Sequence, residues 1–194
     1  MKKVTIADYG IGNLLSVKRA LMHCGAEVIL AQSPEAILEA DSLVVPGVGA
    51  FRKCMEAIEH HGLKESLIEF AARGRPFLGI CVGMQMLLDC SHEFGTTEGL
   101  GLIPGEVRKI EIENHPVPII GWKETLLNRS RDKYYFIHSF QAKPEKEEDI
   151  LSIYQLGKYE IVASVKRDNI TGVQFHPEKS GEAGINFLKG FLSL

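Results

Sequence analysis

Two short stretches hold the residue types that nucleophilic catalysis needs. The first is Gly79-Ile80-Cys81-Val82-Gly83, a cysteine bracketed by glycines. Phe77-Leu78-Gly79-Ile80 reads as a strand, and the residues from Val82 to about Asp89 read as a helix. Cys81 therefore falls on a tight strand-to-helix turn, the thiol version of a nucleophile elbow. Such a turn crowds neighbouring backbone, and a residue without Cβ tolerates the crowding. A helix N-terminus favours the thiolate, which is the reactive form, and the Val82 amide would face a developing oxyanion. A lone cysteine is more often a buried small hydrophobe. The elbow context brings the catalytic reading level with that one.

The second stretch is Gly172-Val173-Gln174-Phe175-His176-Pro177-Glu178, with a histidine and a glutamate two residues apart after an apolar run. A thiol nucleophile needs a base to take its proton, and the base needs an acid to orient it. Cys81, His176 and Glu178 supply those parts, and only the fold can bring them together. Alone, His176 is one of seven histidines and reads as a satisfied or surface residue; its occurrence with the elbow reverses that preference. Pro46-Gly47-Val48-Gly49 is a third piece, placed where a predicted strand ends. Sites in open α/β sheets gather at the carboxyl ends of strands, and the amides of a glycine-rich turn there can serve as oxyanion donors. Standing alone it would be an ordinary Pro-Gly turn.

These residues need a frame. Val4–Ala7, Val28–Leu30, Leu43–Val45 and Phe77–Ile80 read as short strands. Between them, helical periodicity runs from Leu14 to near Gly25, over Pro34–Leu38, over Ala50–His61 and over Leu63–Ala72. That alternation predicts βαβ units and a mostly parallel sheet. The strands are apolar throughout, as expected when both faces are covered. The pattern then changes. Leu102–Ile112, Val117–Trp122, Tyr134–Ile137, Ile150–Tyr154, Ile161–Val165 and Gly172–Phe175 read as strands with few helices between, which predicts an antiparallel extension of the same sheet. Glu182–Leu192 closes the chain as a helix, and Lys143–Asp149 reads as a charged, solvated loop. The expected organisation is a single α/β domain over residues 1–194, with a flavodoxin-like, mostly parallel central sheet flanked by helices.

Composition removes several function classes. A length of 194 residues suits one ordinary domain with a sizeable core. With 45% hydrophobic and 24% charged residues, a largely disordered chain is excluded. A net charge of −3 argues against a broad basic surface and so against nucleic acid as a partner. No apolar run approaches the ~20 residues of a membrane span, and Asp8 interrupts any signal peptide. Cys24, Cys54, Cys81 and Cys90 form no C-x-x-C pair and no common zinc spacing. The expectation is a cytoplasmic protein with no metal and no cofactor, in which three cysteines are inert. Gly10-x-Gly12 lacks the third glycine of a dinucleotide fingerprint, since Leu15 stands there. Asp8 and Asn13 read as caps of the turn and helix, and His60-His61 as a solvated helix end.

Six segments together resemble the class I (triad) glutamine amidotransferases, and the resemblance covers the whole chain. They are Asp8-Tyr9-Gly10-Ile11-Gly12-Asn13-Leu14, Pro46-Gly47-Val48-Gly49-Ala50-Phe51, Gly79-Ile80-Cys81-Val82-Gly83-Met84-Gln85, Gly99-Leu100-Gly101-Leu102-Ile103-Pro104-Gly105, Tyr135-Phe136-Ile137-His138-Ser139 and Gln174-Phe175-His176-Pro177-Glu178-Lys179-Ser180. Within that class the similarity is greatest to the glutaminase subunits of imidazole glycerol phosphate synthases, from histidine biosynthesis.

The resemblance implies hydrolysis of L-glutamine to glutamate and ammonia through a γ-glutamyl thioester on Cys81, with His176 as base and then acid and Glu178 orienting it. By the same resemblance, Gln85 and Glu93 hold the substrate, and the backbone of His138, Ser139 and Phe140 lies along its other side. The amides of Val82, Gly47, Val48 and Gly49 match the oxyanion hole. A (β/α)8-barrel cyclase is implied as the heterodimer partner, taking the ammonia to form imidazole glycerol phosphate and AICAR. Asn13, Trp122, Tyr134 and Tyr135 fall on segments placed near that interface.

The chain departs from the family in two places. The family's usual His-x-Gly-Trp-Asn is Ile119-Ile120-Gly121-Trp122-Lys123 here, and its usual Tyr after His-Ser is Phe140. These departures leave open a paralogue that donates ammonia to a nucleotide-linked surface sugar. A stand-alone cysteine hydrolase sharing the elbow is the reading from another class, and Gln85 and Glu93 argue against it.

Overall fold

The computed structural model describes residues 2–113, 115–127 and 130–194. The first part of the chain alternates strand and helix: β1 (Lys3–Ala7), α1 (Leu14–His23), β2 (Glu27–Ala31), α2 (Pro34–Leu38), β3 (Leu43–Gly47), α3 (Phe51–His60), α4 (Lys64–Ala72), β4 (Phe77–Cys81) and α5 (Val82–Gln85). The rest is mostly strand: β5 (Leu88–Ser91), β6 (Thr97–Glu98), β7 (Ile103–Lys109), β8 (Ile119–Leu127), β9 (Ser130–His138), β10 (Phe140–Pro144), β11 (Ile150–Leu156), β12 (Tyr159–Arg167) and β13 (Ile170–Val173). Helix α6 (Gly181–Leu192) closes it.

Nine strands make one sheet in the order β2-β1-β3-β4-β13-β12-β11-β8-β9. From β2 to β13 the pairing is parallel, and from β13 to β9 it is antiparallel. Every residue of β3 and β4 is buried, which explains their unbroken apolar character. One insertion matters most for the site. β13, last in sequence, pairs in parallel with β4 in the register Gly172 to Gly79 and Val173 to Ile80. The residues after β13 therefore emerge beside the residues after β4.

Three sequence expectations are corrected. The helix after Cys81 spans only Val82–Gln85 and does not reach Asp89. Beyond it, Leu100 and Leu102 donate backbone hydrogen bonds to Met86 and Leu87, and β5 begins at Leu88. Met86, Leu87 and Leu88 are all fully buried, and a short run buried on every side reads alike as helix or strand. The stretch from Leu102 does not extend the main sheet. It supplies β7 to a separate four-stranded sheet in the order β10-β7-β5-β6. The charged segment Lys143–Asp149 is not wholly solvated: β10 runs to Pro144, a 3-10 turn covers Glu147–Asp149, and Asp149 is buried 3.5 Å from the Arg167 guanidinium. Among the described residues, no helix is long and apolar enough to cross a membrane.

Candidate active site

Cys81 ends β4 with φ 57° and ψ −112°, a conformation that costs a non-glycine residue of order 1–3 kcal/mol. The surrounding glycines permit the turn. A Cβ on Gly79 would sit 2.5 Å from the Gly83 carbonyl oxygen, and one on Gly47 would sit 2.7 Å from the Gly83 nitrogen. A Cβ on Gly83 would collide with the Val45 carbonyl. β3, β4 and α5 thus meet backbone to backbone under the thiol. Because α5 has only four residues, the expected dipole support for a thiolate shrinks to the local amides that begin it.

His176 follows β13, where its amide donates to Tyr135 O at 2.9 Å and its carbonyl accepts from Ser180 Oγ at 2.6 Å. Its Nδ1 lies 2.8 Å from Glu178 Oε1, and both side chains are almost fully buried. Burial works against a protonated ring. Hydrogen bonding and charge from Cys81 and Glu178 outweigh it and push the His176 pKa up to about 9.

A cavity of about 460 Å³ opens over Cys81. Of the residues expected from sequence, Cys81, Val82, His176, Val48, Gly49, Gln85, Glu93, His138, Ser139 and Phe140 all line it. Glu178 stands behind His176, outside the lining. Gly47 does not line the cavity either; its missing side chain is what lets Gly83 approach β3. Gln85 commits both N–H groups inward, to Phe140 O at 3.2 Å and Gln174 Oε1 at 2.9 Å, so its carbonyl oxygen is what remains for a ligand. Glu93 docks on the first turn of α3, where Oε2 accepts from Phe51 N at 2.7 Å. His138 Nδ1 lies 2.8 Å from Phe140 O and Nε2 2.9 Å from the Tyr154 hydroxyl. Burial drives its pKa down to about 4, so the ring is neutral and takes the phenol's proton in a hydrogen bond.

Sequence reasoning missed several contributors. Gln174 is fully buried, accepts from Gln85 and reaches Cys81 Sγ at 3.7 Å through Nε2. It falls inside the segment Gln174-Phe175-His176-Pro177-Glu178-Lys179-Ser180, but nothing local marks it as a thiol contact. Tyr9 donates its hydroxyl to Pro46 O, and Cys54 Sγ lies 3.5 Å from Val48 O, so two side chains brace the glycine-rich turn. Burial pushes the Cys54 thiol up to about 11, in keeping with an inert role. Phe94, Lys179, Pro118 and Ile137 also line the cavity.

Other expectations divide. Asp8 does hold the turn, accepting from Gly10 N at 3.2 Å and Gln32 Nε2 at 2.7 Å. Asn13 makes no side-chain cap bond to α1. Tyr134 is buried and stacked on Phe175 at 4.1 Å, away from any surface, while Trp122 is half exposed and packs edge-on to Tyr135.

Comparison with known proteins bears on this geometry. The sequence matches the family model for class-I glutamine amidotransferases over residues 5–193. An imidazole glycerol phosphate synthase subunit HisH of Wolinella succinogenes is 42% identical, with 98% of this chain and 99% of that protein covered. The subunit HisH of Legionella pneumophila is 42% identical over the full length of both, and that of Geobacter sulfurreducens is 41% identical over 98% of each. Among solved structures, a crystal structure of a glutamine amidotransferase superposes with a TM-score of 0.80 at 17% identity, covering 98% of this chain and 99% of that one, which establishes a shared fold.

Proposed function

The chain belongs to the class-I glutamine amidotransferase family, and from that premise we propose that it is the glutaminase subunit of an imidazole glycerol phosphate synthase. It hydrolyses L-glutamine to glutamate and passes the ammonia to a (β/α)8-barrel cyclase in a heterodimer. One observation carries the reading. Cys81 sits on a strained elbow in the cavity, and the histidine that shares the cavity has its far nitrogen held by a buried glutamate.

The chemistry follows from that arrangement. A carboxamide is a poor electrophile, so a thiolate and oxyanion donors are both required. His176 Nε2 takes the Cys81 proton, and Sγ attacks the glutamine side-chain carbonyl carbon. The amide of Val82, with the turn Gly47-Val48-Gly49, carries the tetrahedral oxyanion; Val48 and Gly49 are the turn residues that line the cavity. His176 then protonates the leaving nitrogen, ammonia departs and a γ-glutamyl thioester remains. Water, deprotonated by the same nitrogen, attacks the thioester, releases glutamate and restores the thiol. Glu178 acts through Nδ1, holding the ring's tautomer and direction. The Gln85 carbonyl oxygen and the Glu93 carboxylate suit the substrate's α-ammonium end, and the backbone of His138, Ser139 and Phe140 lies along its length.

An apolar face supports the partner. Ile120, Trp122 and Leu126 of β8 and Ile137 of β9 are each between 41% and 56% exposed, and Ile120 pairs with Ile137 across the ladder. Uncovered apolar patches of this kind mark protein–protein contacts. The relatives' synthase-subunit names span the full chain, which favours histidine biosynthesis over the surface-sugar paralogue and over a stand-alone hydrolase.

The test is glutamate release with and without the histidine-pathway cyclase of the same source and its nucleotide ligand. Slow turnover alone and strong stimulation in the complex are expected. Fast turnover alone, or no complex, overturns the assignment.

A further inference from the structure

A second cluster of chemically able side chains lies on the smaller sheet. β5 and β7 are parallel, and Cys90 stands opposite Glu106. The two-residue period of an extended chain puts His92 on the same side as Cys90. Cys90 Sγ lies 3.7 Å from His92 Nε2, and Glu106 Oε2 lies 3.0 Å from that same nitrogen. All three atoms fall within 4.8 Å of one another, on half-buried residues. With zinc bonds of ~2.0–2.3 Å, tetrahedral ligand atoms are spaced about 3.3–3.7 Å apart. Two of the three edges are therefore close to coordination distance already. The Thr96 hydroxyl lies 3.4 Å from His92 Nδ1, where it can accept the Nδ1 proton and so free Nε2 for a metal.

We propose that Cys90, His92 and Glu106 form a binding site for a divalent cation of the zinc class, separate from the glutamine cavity. Sulfur, imidazole and one carboxylate are a borderline-soft ligand set, which selects zinc-like ions over magnesium or calcium. On binding, the Cys90 S–H bond breaks, its proton leaves to solvent and the sulfur bonds the metal; water completes the fourth position. Arg108 is the competitor. It donates to Glu106 through Nε at 2.5 Å and Nη2 at 2.8 Å, and the metal must draw Oε2 from it while Oε1 keeps the guanidinium. The cysteine spacing hid this site, because one ligand comes from a different strand. His92 directly precedes Glu93, so the site adjoins the segment that walls the cavity.

The experiment is a cobalt titration of the full chain carrying Cys81→Ser, which removes the other thiol paired with a histidine. A thiolate-to-cobalt charge-transfer band is expected at one equivalent and should vanish when zinc is added. The band should be lost with Cys90→Ser. Cobalt affinity should fall at least about tenfold with His92→Gln, whose smaller perturbation guards against misfolding, and rise with Arg108→Gln as Glu106 is released. No band in the parent, or a band that persists in Cys90→Ser, overturns the proposal.

Discussion

Among the described residues, cysteine, histidine and glutamate come together at His176 and again at His92, and the two sets differ in how the ring is approached. At His176 the glutamate takes Nδ1, which leaves the opposite nitrogen for Cys81. His176 and Cys81 line the same cavity, which suits the proton relay proposed for the ring. At His92 the sulfur of Cys90 and the carboxylate of Glu106 both approach Nε2. Three ligand atoms gathered at one ring nitrogen suit the cation proposed above rather than a proton relay. Burial sharpens the contrast. His176 and Glu178 expose 4% and 1% of their side chains, against 29% and 38% for His92 and Glu106. A dry site strengthens every charge interaction inside it, whereas a half-open one admits an ion and its water. Residue type alone does not assign the chemistry; the direction of approach and the solvent do.

The largest effect separates the two thiols. Cys81→Ala should lower glutamate release by about 10^4-fold or more with an almost unchanged melting temperature, and Cys90→Ala should stay within about twofold of the parent. Comparable losses would erase the distinction between the two sets. Next, His176→Asn should slow modification of Cys81 by a glutamine-like electrophile at neutral pH by about 10^2–10^4-fold, while His92→Asn leaves the rate as it was; labelling kinetics followed by mass spectrometry read this directly.

The two buried histidines of the cavity should respond oppositely to pH. His138 has a folded pKa near 4 against 6.5 unfolded, so the unfolded chain binds the extra proton between those values. Its contribution, on the order of 3 kcal/mol, is present above pH 6.5 and lost as pH falls toward 4. His176, raised to about 9, contributes stability below pH 6.5 that is lost as pH rises through 9. Urea unfolding across both windows checks this. An acid-side loss that survives in His138→Gln, or an alkaline-side loss that survives in His176→Asn, contradicts it. The smallest effect concerns Gln174. Gln174→Leu leaves a Gln85 donor unpartnered in the interior and should cost about 1–3 kcal/mol of stability, with slower glutamine turnover. Gln155→Leu, at an exposed glutamine on β11, should cost neither.

Much of the parallel half was legible. β1, β3 and β4 are short apolar runs ended by turn residues, α1 and α3 have clear helical periods, and the glycines around Cys81 announce a turn that crowds backbone. Val82–Leu88 is buried throughout, so its period does not show that the helix stops at Gln85 and a strand starts at Leu88. The resemblance puts the Tyr134 segment near the partner interface, but Tyr134 itself is buried and stacks on Phe175. Asp149 sits in a run of charges yet is buried against Arg167, the last residue of β12.

By itself, then, the sequence determined the alternation of strands and helices, the elbow that presents Cys81 and the supply of a His-x-Glu pair. Those features depend on chain chirality, on burial of apolar runs and on backbone crowding within a few residues. Only the tertiary structure decided that β13 lies beside β4 and so brings His176 to Cys81, that Gln174 touches the thiol, and that Cys90 faces Glu106. Strand neighbours and register are set by hydrogen bonds and packing between segments far apart in the chain, and no local period records them.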